Sequence, residues 1–146
     1  MEAIRAACFD TDILIDYLRG PSKITKLLME KIYERKILAC TTAINCFEIW
    51  LGAYLAPKPE VLIKETEEFI NQLEIMNFNY ETSIEASRIL ATLRKKGQVI
   101  EIKDLFVGSI AKVGEIPLVT RNVKHYERIP ELTLFTPEQI IRKLER

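Results

Sequence analysis

Ala6-Ala7-Cys8-Phe9-Asp10-Thr11-Asp12-Ile13-Leu14-Ile15-Asp16-Tyr17-Leu18 is the stretch that decides the fold. Its first four residues form a run too short for a helix and suited to a buried strand, whereas Ile13, Leu14, Tyr17 and Leu18 recur at helical spacing. The chain therefore rises through a strand, places Asp10 at the strand's carboxyl end and turns at once into a helix. In open α/β sheets, ligands bind in the crevice beyond the carboxyl ends of the strands. A carboxylate at that point is placed to hold a metal ion.

The same alternation continues outward. Arg19-Gly20-Pro21 is a break, and Ser22 caps a helix to about residue 36 with Ile24, Leu27, Leu28, Ile32 and Tyr33 inward. Residues 37–40, 74–78, 117–120 and 132–135 read as further short strands. Thr41 or Thr42 caps a helix that Pro57 and Pro59 end, and a following helix carries Leu62, Thr66, Phe69, Ile70 and Leu73 on one stripe. Thr82 and Glu85 have capping-box spacing, and the helix they open ends at Gly97 with Arg94, Lys95 and Lys96 in its last turn, where positive charge suits the macrodipole. A further helix runs from Asp104 to about residue 113, and Thr136-Pro137 opens the last one. Strands alternating with helices predict an α/β fold with a mostly parallel central sheet of about four or five strands flanked by helices.

A chain of 146 residues, 48% apolar and 29% charged, is expected to form one globular domain over residues 1–146. Its 21 Lys and Arg balance 21 Asp and Glu, so no global basic field advertises a nucleic-acid partner, and none is excluded. Cys8, Cys40 and Cys46 form no C-x-x-C pair and read as small buried hydrophobes in a reducing compartment. No apolar run approaches membrane-spanning length, and the N-terminus lacks the apolar core of a signal peptide. A cytoplasmic protein without a membrane partner is the expectation.

The carboxylates carry the chemistry. On a helical wheel Ile44, Phe47, Leu51 and Leu55 make an inward stripe with Glu48 beside it; Glu48 is then either a buried acid in need of a cation or a partly exposed one. Asp104 and Asp12 each read as helix N-caps, a role that leaves one oxygen free for a metal. Asp16 either faces solvent or supports Asp12. Asn122 stands in a turn directly after a strand, and Arg121 beside it either binds phosphate or pairs with an acid. Several carboxylates suit a hard cation such as Mg²⁺, which prefers oxygen ligands and substrate phosphate. His125 is the only histidine, which excludes a two-histidine zinc site, and no phosphate-cradling or dinucleotide-binding glycine motif occurs.

Four blocks, in order, resemble those of PIN-domain ribonucleases, and more narrowly the VapC-type toxins of toxin–antitoxin pairs. They are residues 9–20 around Asp10, 42–53 around Glu48, 104–111 opening on Asp104, and 118–126 around Asn122. The resemblance implies a PIN-like three-layer fold and a Mg²⁺- or Mn²⁺-dependent endoribonuclease. Asp10, Glu48 and Asp104 would hold the metal and carry catalysis, with Asp12 or Asn122 completing the pocket. It also implies a homodimer, an RNA substrate and inhibition by a small cognate antitoxin. The fourth block departs from the family, which often has Asp where this chain has Asn122 and again where it has His125; a weak or empty second metal site is the consequence expected. Arg121, Lys103 and Arg19 are candidates to anchor phosphates, and in-line attack by water would leave a 5′-phosphate and a 3′-hydroxyl.

Two rivals belong to other classes. Asp10-Thr11-Asp12 is also the Asp-x-Asp of dehalogenase-type phosphatases, with Asp10 as nucleophile and Asp12 as acid, but Leu14 is atypical there and no late Asp-Asp pair follows. A PIN-like module that binds RNA or protein without cutting is the other, and the retained acids argue against it.

Overall fold

The computed structural model describes residues 3–145; Met1 and Glu2, where the N-terminal reading begins, lie outside the described residues. Five strands form one sheet, β1 (Ala6–Phe9), β2 (Leu38–Thr42), β3 (Glu74–Met76), β4 (Leu118–Val119) and β5 (Leu134–Phe135), in the order β3-β2-β1-β4-β5. Every pairing is parallel, with Cys8 opposite both Cys40 and Leu118. The chain extends from β1 to β2 to β3 on one side, then returns across β1 to lay down β4 and β5. The strand order therefore reverses at β1, the place where such sheets build binding crevices.

Side chains alternate across β1 and divide the interior in two. Ala7 and Phe9 face one core with Ile13 and Leu14 of α1 (Thr11–Leu18), Leu28 of α2 (Lys23–Tyr33), Ile49 of α3 (Ala43–Tyr54), Phe69 of α4 (Pro59–Ile70) and Ile140 of α8 (Pro137–Leu144). Cys8 faces the other with Ile89 and Leu93 of α5 (Tyr80–Lys95), Leu105 and Ala111 of α6 (Ile102–Val113) and Tyr126 of α7 (Val123–Tyr126). Three layers result, and β1 is covered on both faces, as a parallel strand requires.

Local chemistry explains most boundaries. Ser22 caps α2 through the Thr25 amide, and Thr42 and Thr136 form capping boxes with Asn45 and Gln139. Gly97, at φ 68°, terminates α5 in the left-handed conformation that glycine adopts without penalty. Cys8 and Cys40 are buried and Cys46 half-buried; all three are free thiols, with burial raising their pKa.

Several expectations are corrected. The α3 stripe faces the other way: Asn45, Ile49 and Ala53 are buried, while Phe47, Leu51 and Leu55 are exposed. This helix is apolar almost all round, so periodicity could not select its face; the capping box and the bonds of Asn45 did. Asn79, not Thr82, caps α5, and Glu85 instead pairs with Lys112 and Arg88. Tyr33 is exposed, and β4 and β5 are each two residues long.

Candidate active site

Three strand ends meet at one edge of the sheet. Asp10 follows β1, Thr42 ends β2 and Thr120 follows β4, so parallel register alone brings them together. Asp10 is 3% exposed and is the N-cap of α1. Its Oδ1 accepts from the Thr11 amide at 2.9 Å and from Asn45 Nδ2 at 2.9 Å. Its Oδ2 accepts from Thr120 Oγ1 at 2.8 Å and from the Tyr126 hydroxyl at 2.9 Å. Four donors satisfy and fix this carboxylate, which is what a buried charge needs. Burial and the nearby Asp10 and Asp104 charges push the Tyr126 phenol up, keeping it a protonated donor.

The other acids surround this anchor. Glu48 Oε1 accepts from Thr11 Oγ1 at 2.6 Å, and Thr11 in turn accepts from Asn45 Nδ2 at 2.9 Å. Glu48 Oε2 lies 3.4 Å from Lys103 Nζ, and the same ammonium is 3.5 Å from Asp104 Oδ1. Asp104 is 4% exposed, with His125 Nδ1 3.6 Å from its Oδ2. Burial raises the Asp104 carboxyl, opposed by the positive charge of Lys103. Burial lowers the Lys103 ammonium, but the charges of Glu48, Asp10 and Asp104 outweigh it and the net direction is up.

Asp12 is held separately. Its Oδ1 accepts from the Ile13 amide at 2.8 Å; its Oδ2 accepts from the Arg121 amide at 2.9 Å and from Asn122 Nδ2 at 3.3 Å. Burial and the Asp10 charge raise its carboxyl. Asp10, Asp12, Glu48, Lys103, Asn122 and Arg19 line an open groove of about 500 Å³. Asp104 lies beside it, next to Lys103 and His125.

The expected residues thus come together, with altered parts. Neither Asp12 nor Asp104 is an N-cap: Asp10 takes that position on α1 and Glu101 on α6, leaving both acids in first turns, where negative charge suits the dipole. Glu48 is partly exposed, at 30% of its side chain. Asp16 accepts from Ser22 rather than supporting Asp12. Asn122 turns its amide NH₂ toward Asp12, and the Arg121 guanidinium pairs with Glu138 at 3.4 Å instead of entering the groove. The sequence reading missed Thr11, Asn45, Thr120 and Tyr126 as parts of the site. Thr120 is legible in principle, as the residue directly after β4 beside Asp10; Tyr126 closes the fourth block, but nothing local assigns it to Asp10.

The donor set is all oxygen, and carboxylates raised by burial and mutual repulsion fit a hard cation. As the side chains stand, no three His, Cys, Asp or Glu among the described residues converge on one ion position. Lys103 is the cation between Glu48 and Asp104.

Comparison with known proteins identifies the family and the fold. The family model described as "PIN domain" matches residues 7–132. Ribonuclease VapC1 of Methanocaldococcus jannaschii is 31% identical over 125 residues, covering 86% of this chain and 82% of that protein. Ribonuclease VapC2 of Haemophilus influenzae is 26% identical over 82% of this chain and 89% of its own. In fold, the chain is similar to VapBC2 from Rickettsia felis, solved bound to a promoter DNA fragment, with a TM-score of 0.81, 24% identity and coverage of 90% and 98% of the two chains. VapBC from Salmonella typhimurium, also solved bound to DNA, gives a TM-score of 0.81, 23% identity and coverage of 92% and 98%. With the match spanning both the strand that presents Asp10 and the helix that presents Asp104, the chain belongs to the PIN domain family, among its VapC-type members.

Proposed function

We propose that this chain is a Mg²⁺- or Mn²⁺-dependent endoribonuclease that acts as the toxin of a toxin–antitoxin pair. The observation that carries the reading is the gathering of Asp10, Asp12, Glu48 and Asp104 at the sheet edge where the strand order reverses, in a chain of this family. Asp10, Glu48 and Asp104 are the residues assigned to the metal, with Asp12 beside them. A divalent ion there supplies positive charge to a phosphate oxygen and lowers the pKa of a water. The protein's own part is positional. Four donors fix Asp10, and Thr11 couples the Glu48 carboxylate to the same network. Arg19 and Lys103 stand in the groove to attract a phosphate backbone. Arg121 joins them only by leaving Glu138, and an exposed pair of that kind holds it by at most about 1 kcal/mol. Asn122 is a weaker ligand than an acid, which supports a single strong ion site.

An antitoxin partner is supported by the VapBC complexes among the similar structures. A homodimer is supported by Phe47, Leu51, Tyr54 and Leu55, an exposed apolar stripe on α3 that begins beside Glu48. No helix among the described residues is long and apolar enough to cross a membrane.

The test is cleavage of RNA by purified protein with Mg²⁺ or Mn²⁺, with EDTA, and with Asp10→Asn. The substrates should include tRNA, because the Salmonella typhimurium relative, 28% identical over 65% of this chain, is named a tRNA(fMet)-specific endonuclease. Metal-dependent cutting that yields 5′-phosphate ends and is lost in the variant is expected. Tight RNA binding with no cutting of any substrate would instead favour a binding module.

A further inference from the structure

Lys103 is the second residue of α6, where the helix dipole disfavours a cation. Its ammonium nevertheless sits 3.4 Å from Glu48 Oε2 and 3.5 Å from Asp104 Oδ1, joining acids carried by α3 and α6. Without the ammonium that both approach, these two carboxylates would repel each other across the site. A divalent ion bound by the same two acids and the Lys103 ammonium are like charges competing for one place.

We propose that Lys103 is a resident counter-ion, exchanged for the divalent cation when that cation binds, and that it thereby sets the metal affinity of the site. The inference rests on the metal-dependent reading above. Lys103 is a positioning residue in this scheme: it holds Glu48 and Asp104 in place before the metal arrives. Its side chain is 36% exposed and its four-carbon stem is flexible, so displacement moves the ammonium into the groove that it already lines. There it adds to the attraction for phosphate. The exchange is one of charges only and makes or breaks no covalent bond.

The experiment is calorimetric titration of Mn²⁺ into the full chain and into Lys103→Met, Lys103→Gln and Lys103→Arg, with thermal melts in EDTA to confirm that each is folded. Removing a cation from beside a carboxylate is commonly worth one or more pKa units, so Met and Gln should each tighten Mn²⁺ binding by about tenfold. The Arg variant keeps the charge and should stay within about twofold of the parent, a pattern that loss of packing would not produce. In EDTA the Met variant should melt below the parent, and Mn²⁺ should raise its melting temperature by the larger increment. Unchanged or weaker Mn²⁺ binding in both neutral variants would overturn the proposal while leaving the metal site standing. No Mn²⁺ uptake by the parent or the neutral variants would overturn the metal-dependent reading, and this proposal with it.

Discussion

Tyr126→Phe removes one oxygen and nothing else. The ring lies 1% exposed among Leu105, Ala111, Leu118 and Ile129, and phenylalanine fills that space without a cavity. What is lost is the 2.9 Å bond from the hydroxyl to Asp10 Oδ2, one of four that stabilise a buried charge. A hydrogen bond to an ionised partner contributes about 1.5–3 kcal/mol, so a loss of about 2 kcal/mol is expected. For a domain of this size that lowers the melting temperature by about 4–8 °C. Urea denaturation of the parent, Tyr126→Phe, Asp10→Asn and the double variant measures the coupling directly. Where residue 10 is a neutral amide, the phenylalanine change should cost only about 0.5–1.5 kcal/mol. Equal costs in the two backgrounds, or a cost below about 0.5 kcal/mol in the parent, would refute the claim that the hydroxyl stabilises an ionised Asp10.

Asn45→Ala strips one donor each from Asp10 and Thr11 and breaks the α3 capping box, and chemical denaturation should show a loss of about 2–4 kcal/mol. Asp12→Asn should raise stability in EDTA near neutral pH. The Asp12 carboxyl is raised in the folded chain, which therefore holds its proton more tightly than the unfolded chain does, so ionised Asp12 costs stability above its folded pKa. That cost, and with it the advantage of the variant, should shrink as pH falls toward 3.8; an advantage that grows on acidification would reverse the sign. Leu51→Asp places a charge in the middle of the exposed α3 stripe, and sedimentation should show a dimeric parent and a monomeric variant with an unchanged melting transition in dilute solution.

The strand-then-carboxylate reading of residues 6–10 survives intact because it rests on two signals that agree, a short apolar run and a change of period at Thr11. The three-layer fold follows from repeating that pattern. Glu48 was found for a reason that is only half right. Its helix carries Ile44, Phe47, Ile49, Leu51 and Leu55 around most of its circumference, so a wheel cannot tell the core from an exposed apolar face. The deciding contacts are polar and long-range: Asn45 to Asp10, 35 residues apart, and Thr11 to Glu48, 37 apart. Tyr126 reaches Asp10 across 116 residues, and Thr120 across 110. Local pattern contains no record of such pairs. The caps of α1 and α6 are misread for a related reason, since an acid in a first turn and an acid at an N-cap differ by only two or three positions in sequence and are favoured by the same dipole.

Four acids within one site would repel strongly if all were treated alike, and this chain treats each differently. Asp10 is stabilised by neutral donors alone, which leaves its charge undiminished and its position fixed. Asp12 is held by two backbone amides and the Asn122 side chain. Glu48 and Asp104 share a mobile cation instead, and Asp104 has His125 as a second neighbour. Only the last pair has a partner able to leave without unfolding anything, because a lysine stem can rotate where an amide in a helix cannot. The permanent donors therefore define where charge resides, and Lys103 defines where it becomes available. A site built this way keeps its geometry before a cation arrives and offers the cation two carboxylates already in place.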